Sequence, residues 1–360
     1  MQHCLIISRS SRALVESAAR AGFVVHAIDA FADEDCKNSA ETATECEYDE
    51  EGFVPSAIDE IIKSLVATYP ISVCIIGSGI QATQFKTSNY QFQLIKNTPE
   101  TICQLQDPFY FSTLLKRNNI VFPKVFKNKP NNNKQYLNKL IGKQGGEHIT
   151  FAEQTGLVQG YFQEFIKGKT CSVVFLSDGK SLEVVGFNEQ YQYEYQNHPF
   201  LYAGAFSIES QQDIQERIKH ILSIIVKETG VKGLCGMDYI IKEDNEIIVL
   251  EVNSRPPASF ELHEAQQSLI TAHLACFLDN LGTYNRCPEH RGYMILYADY
   301  RIMINDAMEW PHWAKDKPAA NTIIHAGQPV CSIHASAEST NIVKTLLSER
   351  KKILNQQFYC

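Results

Sequence analysis

Two carboxylates and a carboxamide stand at a spacing that brings them together. Met237–Lys242 and Glu246–Val252 read as the arms of a hairpin turning at Asp244-Asn245. A two-residue turn sets Asp238 directly opposite Glu251, and Asn253, two residues on, shares the face of Glu251. Facing Cβ atoms then lie about 5 Å apart. A four-residue loop keeps this register; a three- or five-residue loop destroys it. Two acids that close repel one another, and the apolar neighbours Tyr239, Ile240, Ile248, Val249 and Leu250 aggravate this through burial. Protonating one acid, pairing with a cation or binding a metal resolves the conflict, and the residues alone leave these open. Two acids and an amide are hard oxygen donors that suit Mg²⁺ (or Mn²⁺), which keeps positions for phosphate oxygens. The plain alternative is a solvated hairpin edge with incidental charges.

A second segment is Lys139-Leu140-Ile141-Gly142-Lys143-Gln144-Gly145-Gly146. It follows Tyr136-Leu137, so it reads as a strand running into a glycine-rich loop. Glycines let backbone N–H groups cradle phosphate, and the lysines add charge. It is not the G-x-x-x-x-G-K-[ST] loop, and an ordinary hairpin loop is the alternative. Other candidates fall away. Ser8–Ser11 contains no glycine and Gly77-Ser78-Gly79 lacks a third, so a dinucleotide fingerprint is absent. Both fit turns at the carboxyl edge of a sheet, where open α/β sheets bind ligands. Ser78 belongs to no G-x-S-x-G elbow. Cys36 and Cys46 lack zinc-site spacing. His263 reads as a surface histidine at a helix start, His273 as structural, and Trp310 and Trp313 as packing residues.

These segments need a frame. Leu5–Ile7 reads as a buried strand, followed by a helix from Ser10-Ser11-Arg12 with Leu14, Val15 and Ala18 on one face. Phe23–Ile28 is the next strand, closed by Asp29. A helix through Ile58, Ile62 and Leu65 precedes the strand Ile71–Ile76. Strands alternating with helices predict a parallel α/β sheet. The acidic, polar segment Asp33–Glu51 predicts a surface loop. Beyond residue 100 the pattern predicts a helix over Asp107–Arg117 and a polar loop over Asn128–Lys134. A hairpin of Thr170–Leu176 and Leu182–Phe187 follows, then a helix from Ile214 that ends at Gly230. A helical stretch over Phe260–Leu281, short strands at Gly292–Ala298 and Pro329–Ile333, and a last helix over Thr340–Asn355 complete the reading.

Composition narrows the classes. The 360 residues carry a net charge of -8, which argues against a binder of duplex nucleic acid. No apolar run approaches the roughly 18 residues that span a membrane. Met1 leads straight into Cys4–Ile7, read as a buried strand rather than a signal peptide. Eleven cysteines without a C-x-x-C pair predict a reduced, cytoplasmic protein.

Taken together the segments resemble the ATP-grasp enzymes. Leu250-Glu251-Val252-Asn253-Ser254-Arg255-Pro256 resembles their E-x-N-x-R segment, and Asp238 stands where they keep their first metal acid. Lys139 with Gly142–Gly146 resembles the phosphate lysine and glycine-rich flap. Tyr161-Phe162-Gln163-Glu164-Phe165-Ile166-Lys167-Gly168 resembles the adenine hinge. Lys169-Thr170 stand where many relatives carry a ribose-binding acid. Ser10-Ser11-Arg12, Asp29, Arg291-Gly292-Tyr293, Trp310-Pro311 and Gly327–Cys331 are similar to a narrower, carboligase-like group. That group is associated with methanopterin- and methanofuran-dependent one-carbon metabolism, and the tyramine–glutamate ligase is a relative.

The resemblance implies a Rossmann-like pre-ATP-grasp domain over residues 1–100 and an α+β grasp over 101–285, with subdomains 101–160 and 161–285. A small α+β extension over 286–360 completes the chain. It implies an ATP-dependent carboxylate–amine ligase that forms ADP. Asp238, Glu251 and Asn253 would hold the metal. Lys139, Gly142, Lys143, Gly145 and Gly146 would hold the phosphates. Gln163, Glu164 and Ile166 would meet the adenine, and Arg255 would stabilise an acyl phosphate. The partners implied are a small-molecule acid and amine, with no nucleic acid and no membrane; a homodimer is compatible. The alternatives are an enzyme that activates bicarbonate and an ATP-binding regulatory protein without turnover.

Overall fold

A computed structural model describes residues 1–49, 52–80, 90–152, 160–196, 198–282 and 284–359. The chain divides into two compact units. One is Met1–Lys96 with Pro257–Leu274 and Gly282–Cys360; the other is Asn97–Pro256 with Ala275–Leu281.

The first unit opens with β1 (His3–Ser8), α1 (Arg12–Arg20), β2 (Val24–Asp29), α2 (Glu34–Ser39) and β3 (Thr42–Glu45). The short pair β4 (Tyr48–Asp49) and β5 (Gly52–Phe53), α3 (Pro55–Thr68), β6 (Ile71–Ile76) and β7 (Gln93–Ile95) follow. The sheet order is β3-β2-β1-β6-β7, with every pairing parallel. Cys4–Ile7 are fully buried, as a strand covered on both faces requires.

The segment Asp33–Glu51 is not the surface loop expected, apart from Glu50 and Glu51, which lie outside the described residues. Asp33 caps α2 by accepting from the Cys36 N–H at 2.8 Å, and β3 extends the sheet edge beside β2. Thr42-Ala43-Thr44-Glu45 offers no apolar alternation, so periodicity does not announce this edge strand.

Burial, and then Asp316, push the Asp33 carboxyl up to about 7. The unfolded chain releases that proton near 3.8, so the folded state binds more protons in between. Stability from this group therefore falls as pH rises from about 4 to 7. Asp33→Asn keeps a capping oxygen and removes the charge. It should raise unfolding free energy by about 2 kcal/mol at pH 8 and change little at pH 4. Urea unfolding at the two pH values checks this, and equal effects at both would contradict it.

The second unit holds α4 (Pro99–Gln106), α5 (Pro108–Arg117), β8 (Val125–Phe126), β9 (Tyr136–Lys139), β10 (Ile149–Phe151) and β11 (Tyr161–Glu164). It continues with β12 (Lys169–Asp178), β13 (Leu182–Tyr195), β14 (His198–Ile208), α6 (Gln212–Thr229), β15 (Lys232–Ile241) and β16 (Ile247–Asn253). A small antiparallel sheet runs β10-β9-β11-β8, and a larger one runs β16-β15-β12-β13-β14. The apolar stripe Ile214, Ile218, Leu222 and Ile225 of α6 packs on Val173, Phe175, Met237 and Val249. Gly230, left-handed at φ +63°, ends α6.

The remainder of the first unit returns as a 3-10 helix (Ala258–His263), β17 (His290–Tyr297), β18 (Ile302–Met303), β19 (Ala314–Lys315), β20 (Ile323–Ile324), β21 (Pro329–Ala337) and α8 (Thr340–Tyr359). The helix α7 (Leu269–Cys276) spans the boundary between the units. The helical stretch expected over Phe260–Leu281 is thus two separate pieces. His263, which sequence placed on the surface, ends the 3-10 helix and is buried. Buried Arg12 pairs with both oxygens of Glu261 and with Asp316 at 2.8 Å, so it holds the first unit together. Among the described residues no helix is long and apolar enough to cross a membrane.

Candidate functional site

Asp238 on β15 pairs directly with Glu251 on β16, as the hairpin reading expects. The route differs. Tyr239, Ile240 and Ile241 pair with Val249, Ile248 and Ile247, and Lys242 N–H donates to the Glu246 carbonyl. The turn is therefore Glu243–Asn245, three residues, with Asn245 left-handed at φ +61°. The register then shifts between Asp238 and Tyr239, where β16 carries one extra residue, Leu250. This β-bulge restores the pairing that a three-residue loop would have lost.

The two acids share one face with Asn253, whose Nδ2 donates to Glu251 Oε1 at 3.4 Å. Gln190 Nε2 donates to Asp238 Oδ1 at 2.9 Å. Desolvation, and then the charge of Glu251, raise the Asp238 carboxyl above the ordinary carboxylate range. A divalent cation relieves this crowding, and two carboxylates with an amide are the donor set that hard cations take. The residues present thus fit a metal. Among the described residues no group of three or more His, Cys, Asp and Glu side chains forms an alternative.

The same face continues across the sheet. Ser172 pairs with Asp238, Asn188 with Ser172, and Ser207 with Asn188, all three buried. Sequence reading missed this row because it needs the register of five strands. It also missed Gln190, which reaches Asp238 from a strand that is not its neighbour in the sheet.

A cleft opens between the small sheet and β16. Lys139, Lys143, Gln163, Glu251 and Asn253 line it together with apolar Phe111, Leu115, Phe122 and Val125. Such a lining suits a ligand apolar at one end and charged at the other. Lys139 is only 6% exposed, and its Nζ donates to Gln163 Oε1 at 3.3 Å. It also hydrogen-bonds to Tyr161. A buried ammonium whose hydrogen-bond partners are neutral fits an anionic ligand. Tyr161, the first residue of the segment likened to the adenine hinge, and His148, which was not expected, line the same cleft. Burial, and then Lys139, lower His148 to about 4, which leaves its imidazole neutral at pH 7.

The other expected residues divide. Gly142 lines the cleft, whereas Gly145 and Gly146 of the same loop turn toward β14. Arg255 donates to Gln144 Oε1 at 2.8 Å and to Asn253 Oδ1 at 3.3 Å, tying the glycine loop to the metal-type face. Glu164 closes β11, outside the cleft lining; its side chain pairs with Lys134 and its N–H donates to the Lys124 carbonyl at 2.9 Å. Its carbonyl is the group it can offer a ligand. Ile166 follows two residues on, also outside that lining. Lys169, at the position discussed for ribose, pairs with Glu189 at 2.5 Å.

Residues 105–259 match the family model of the ATP-grasp domain. The chain is 24% identical over 189 residues to an uncharacterized protein of Methanocaldococcus jannaschii, a match covering 52% of this chain. It spans 45%, about half, of that curated relative's length. Carboxyaminoimidazole ribonucleotide synthase of Aspergillus clavatus, solved in complex with ATP, superposes at TM-score 0.70 with 13% identity and 99% coverage of both chains. The L-amino acid ligase of Bacillus licheniformis superposes at 0.68 with 12% identity, covering 98% of this chain and 97% of that one. The chain has the fold of the ATP-grasp structures.

Proposed function

We propose that this chain is an ATP-dependent ligase that activates a carboxylate as an acyl phosphate and joins it to an amine, releasing ADP and phosphate. The observation that carries this reading is the convergence of Asp238, Glu251 and Asn253 beside a cleft that also holds buried Lys139. The ATP-grasp match over residues 105–259 supports it. Mg²⁺ or Mn²⁺ on the two acids and Asn253 would neutralise charge on phosphate oxygens.

Lys139 and the backbone of Gly142 and Lys143 bind the phosphates, and the carbonyl of Glu164 with the backbone of Ile166 meets the purine. A carboxylate oxygen attacks the γ-phosphorus as the bond to ADP breaks. Arg255, already aimed from Asn253 to Gln144, offers its planar donors to the acyl phosphate. The amine nitrogen then bonds to the acyl carbon, phosphate leaves, and the nitrogen loses a proton. The loop excludes water while the acyl phosphate exists.

We place the reaction in the cytoplasm, a reading that the buried cysteines support. We assign the substrates to the making of a one-carbon-carrier cofactor, on the resemblance of Ser10–Arg12, Arg291–Tyr293 and Gly327–Cys331 to the narrower group.

Hydroxylamine trapping with Mg-ATP across a panel of carboxylic acids tests the reading without knowledge of the amine. One class of acid should yield a hydroxamate with stoichiometric ADP. ATP hydrolysis that no acid stimulates, or AMP as product, would contradict it.

A further inference from the structure

The glycine-rich loop between β9 and β10 is joined to the β13–β14 ribbon at three successive residues. Tyr202 N–H donates to the Gly145 carbonyl at 3.0 Å. Gly146, left-handed at φ +81°, lies so close that a Cβ there would stand 1.9 Å from the Phe200 carbonyl oxygen. His198 Nδ1 donates to the Glu147 carbonyl at 2.7 Å. The Phe200 ring also meets Phe151 of β10 at 5.4 Å and Phe165, just past β11, at 6.1 Å. Phe151 and Phe165 are themselves 5.4 Å apart, so the three rings close a triangle.

The attachment covers half of the loop. Gly142 has nearly the same backbone, φ +78°, yet nothing lies within 4 Å of a Cβ built there. Gly142 and Lys143 line the cleft, while Gly145, Gly146 and Glu147 are fastened to the ribbon. The ribbon also reaches the acids. Gln190 of β13 holds Asp238, and the β13–β14 register shifts between Gln190 and Gln192, separating the stretch that faces the acids from the stretch that grips the loop.

We propose that the β13–β14 ribbon positions the phosphate loop: Phe200 and His198 are positioning residues that set where Gly145–Glu147 stand, and the loop adjusts to ligand at Gly142, where the space is open. This rests on the reading of the cleft as a nucleotide site. The loop is then rooted in the sheet that carries the acids, and the anchor from which its phosphate-binding stretch departs is set before ligand arrives.

A matched pair of substitutions separates the ribbon contact from backbone strain. Gly142→Ala and Gly146→Ala impose the same left-handed strain, but only the second meets Phe200. Tryptic cleavage after Lys143, without nucleotide, should accelerate about fivefold or more in Gly146→Ala and in Phe200→Ala, and less than about twofold in Gly142→Ala. Phe200→Ala should raise KM for ATP about tenfold while kcat stays within about threefold, and Phe200→Tyr should restore both. Equal cleavage of the two alanine variants, or Phe200→Ala with unchanged cleavage and KM, would overturn the proposal. If Gly146→Ala fails to fold, Phe200→Ala against Phe200→Tyr decides. Calorimetric titration of the unsubstituted protein with Mg-ADP reports separately on the nucleotide reading: absence of binding would sink that reading, while the cleavage contrast would still decide the role of the ribbon.

Discussion

Glu251→Gln abolishes ATP turnover, lowering kcat by about 10³-fold or more, roughly 4 kcal/mol of transition-state stabilisation, while the fold survives. Glu251 is exposed and pairs across the hairpin with Asp238, so its side chain contributes little packing. Glutamine preserves the shape and the hydrogen bond from Asn253. What it removes is one of the two charges that would hold the cation. Without metal the variant should melt at or above the temperature of the unsubstituted protein, because the charge that crowds Asp238 is gone. ADP release and metal-free thermal unfolding, measured side by side, check both halves. Turnover near the normal rate would show that the acids do not carry the metal.

Lys139→Met raises KM for ATP about 10- to 100-fold and leaves stability equal or higher. Lys139 is buried at the end of β9 between Gln163 and Tyr161, neutral partners that cannot repay the desolvation of an ammonium. Methionine matches the stem and removes the charge, so the protein without nucleotide loses nothing it needs. With nucleotide it loses the cation that faces phosphate. Initial rates against ATP concentration, together with urea unfolding, test this. Strong destabilisation with an unchanged KM would make Lys139 a structural residue.

The parts of this molecule that were legible in the sequence are those where one period or one register decides. The alternation of Leu5–Ile7, Phe23–Ile28 and Ile71–Ile76 with amphipathic helices specifies the parallel sheet, because both faces of those strands must be apolar. The pairing of Asp238 with Glu251 was legible too, though it arises from a three-residue turn and a bulge at Leu250, two departures of opposite sense. Neither leaves a signal in residue type, since Asp244-Asn245 suits both turn lengths.

The remainder depended on contacts that no local pattern encodes. Thr42–Glu45 is a strand because the edge of β2 offers it partners. The strand His198–Ile208 follows a run of alternating Gln and Tyr, and it matters because it grips the loop at Gly146. Gln190 and the row Ser172–Asn188–Ser207 join the site only when five strands stand in register. His263, placed on the surface by its sequence neighbours, ends the 3-10 helix Ala258–His263 and is buried.

The central claim is that a substrate carboxylate oxygen takes the γ-phosphoryl group. Once hydroxylamine trapping has identified the acid, turnover of its ¹⁸O-labelled carboxylate with Mg-ATP and the amine tests the claim directly by mass analysis of the phosphate released. An acyl phosphate cleaved by amine attack on its carbon leaves one carboxylate oxygen on phosphorus, so each phosphate should carry a single ¹⁸O. Unlabelled phosphate beside ADP, or the label recovered in AMP, would contradict the account.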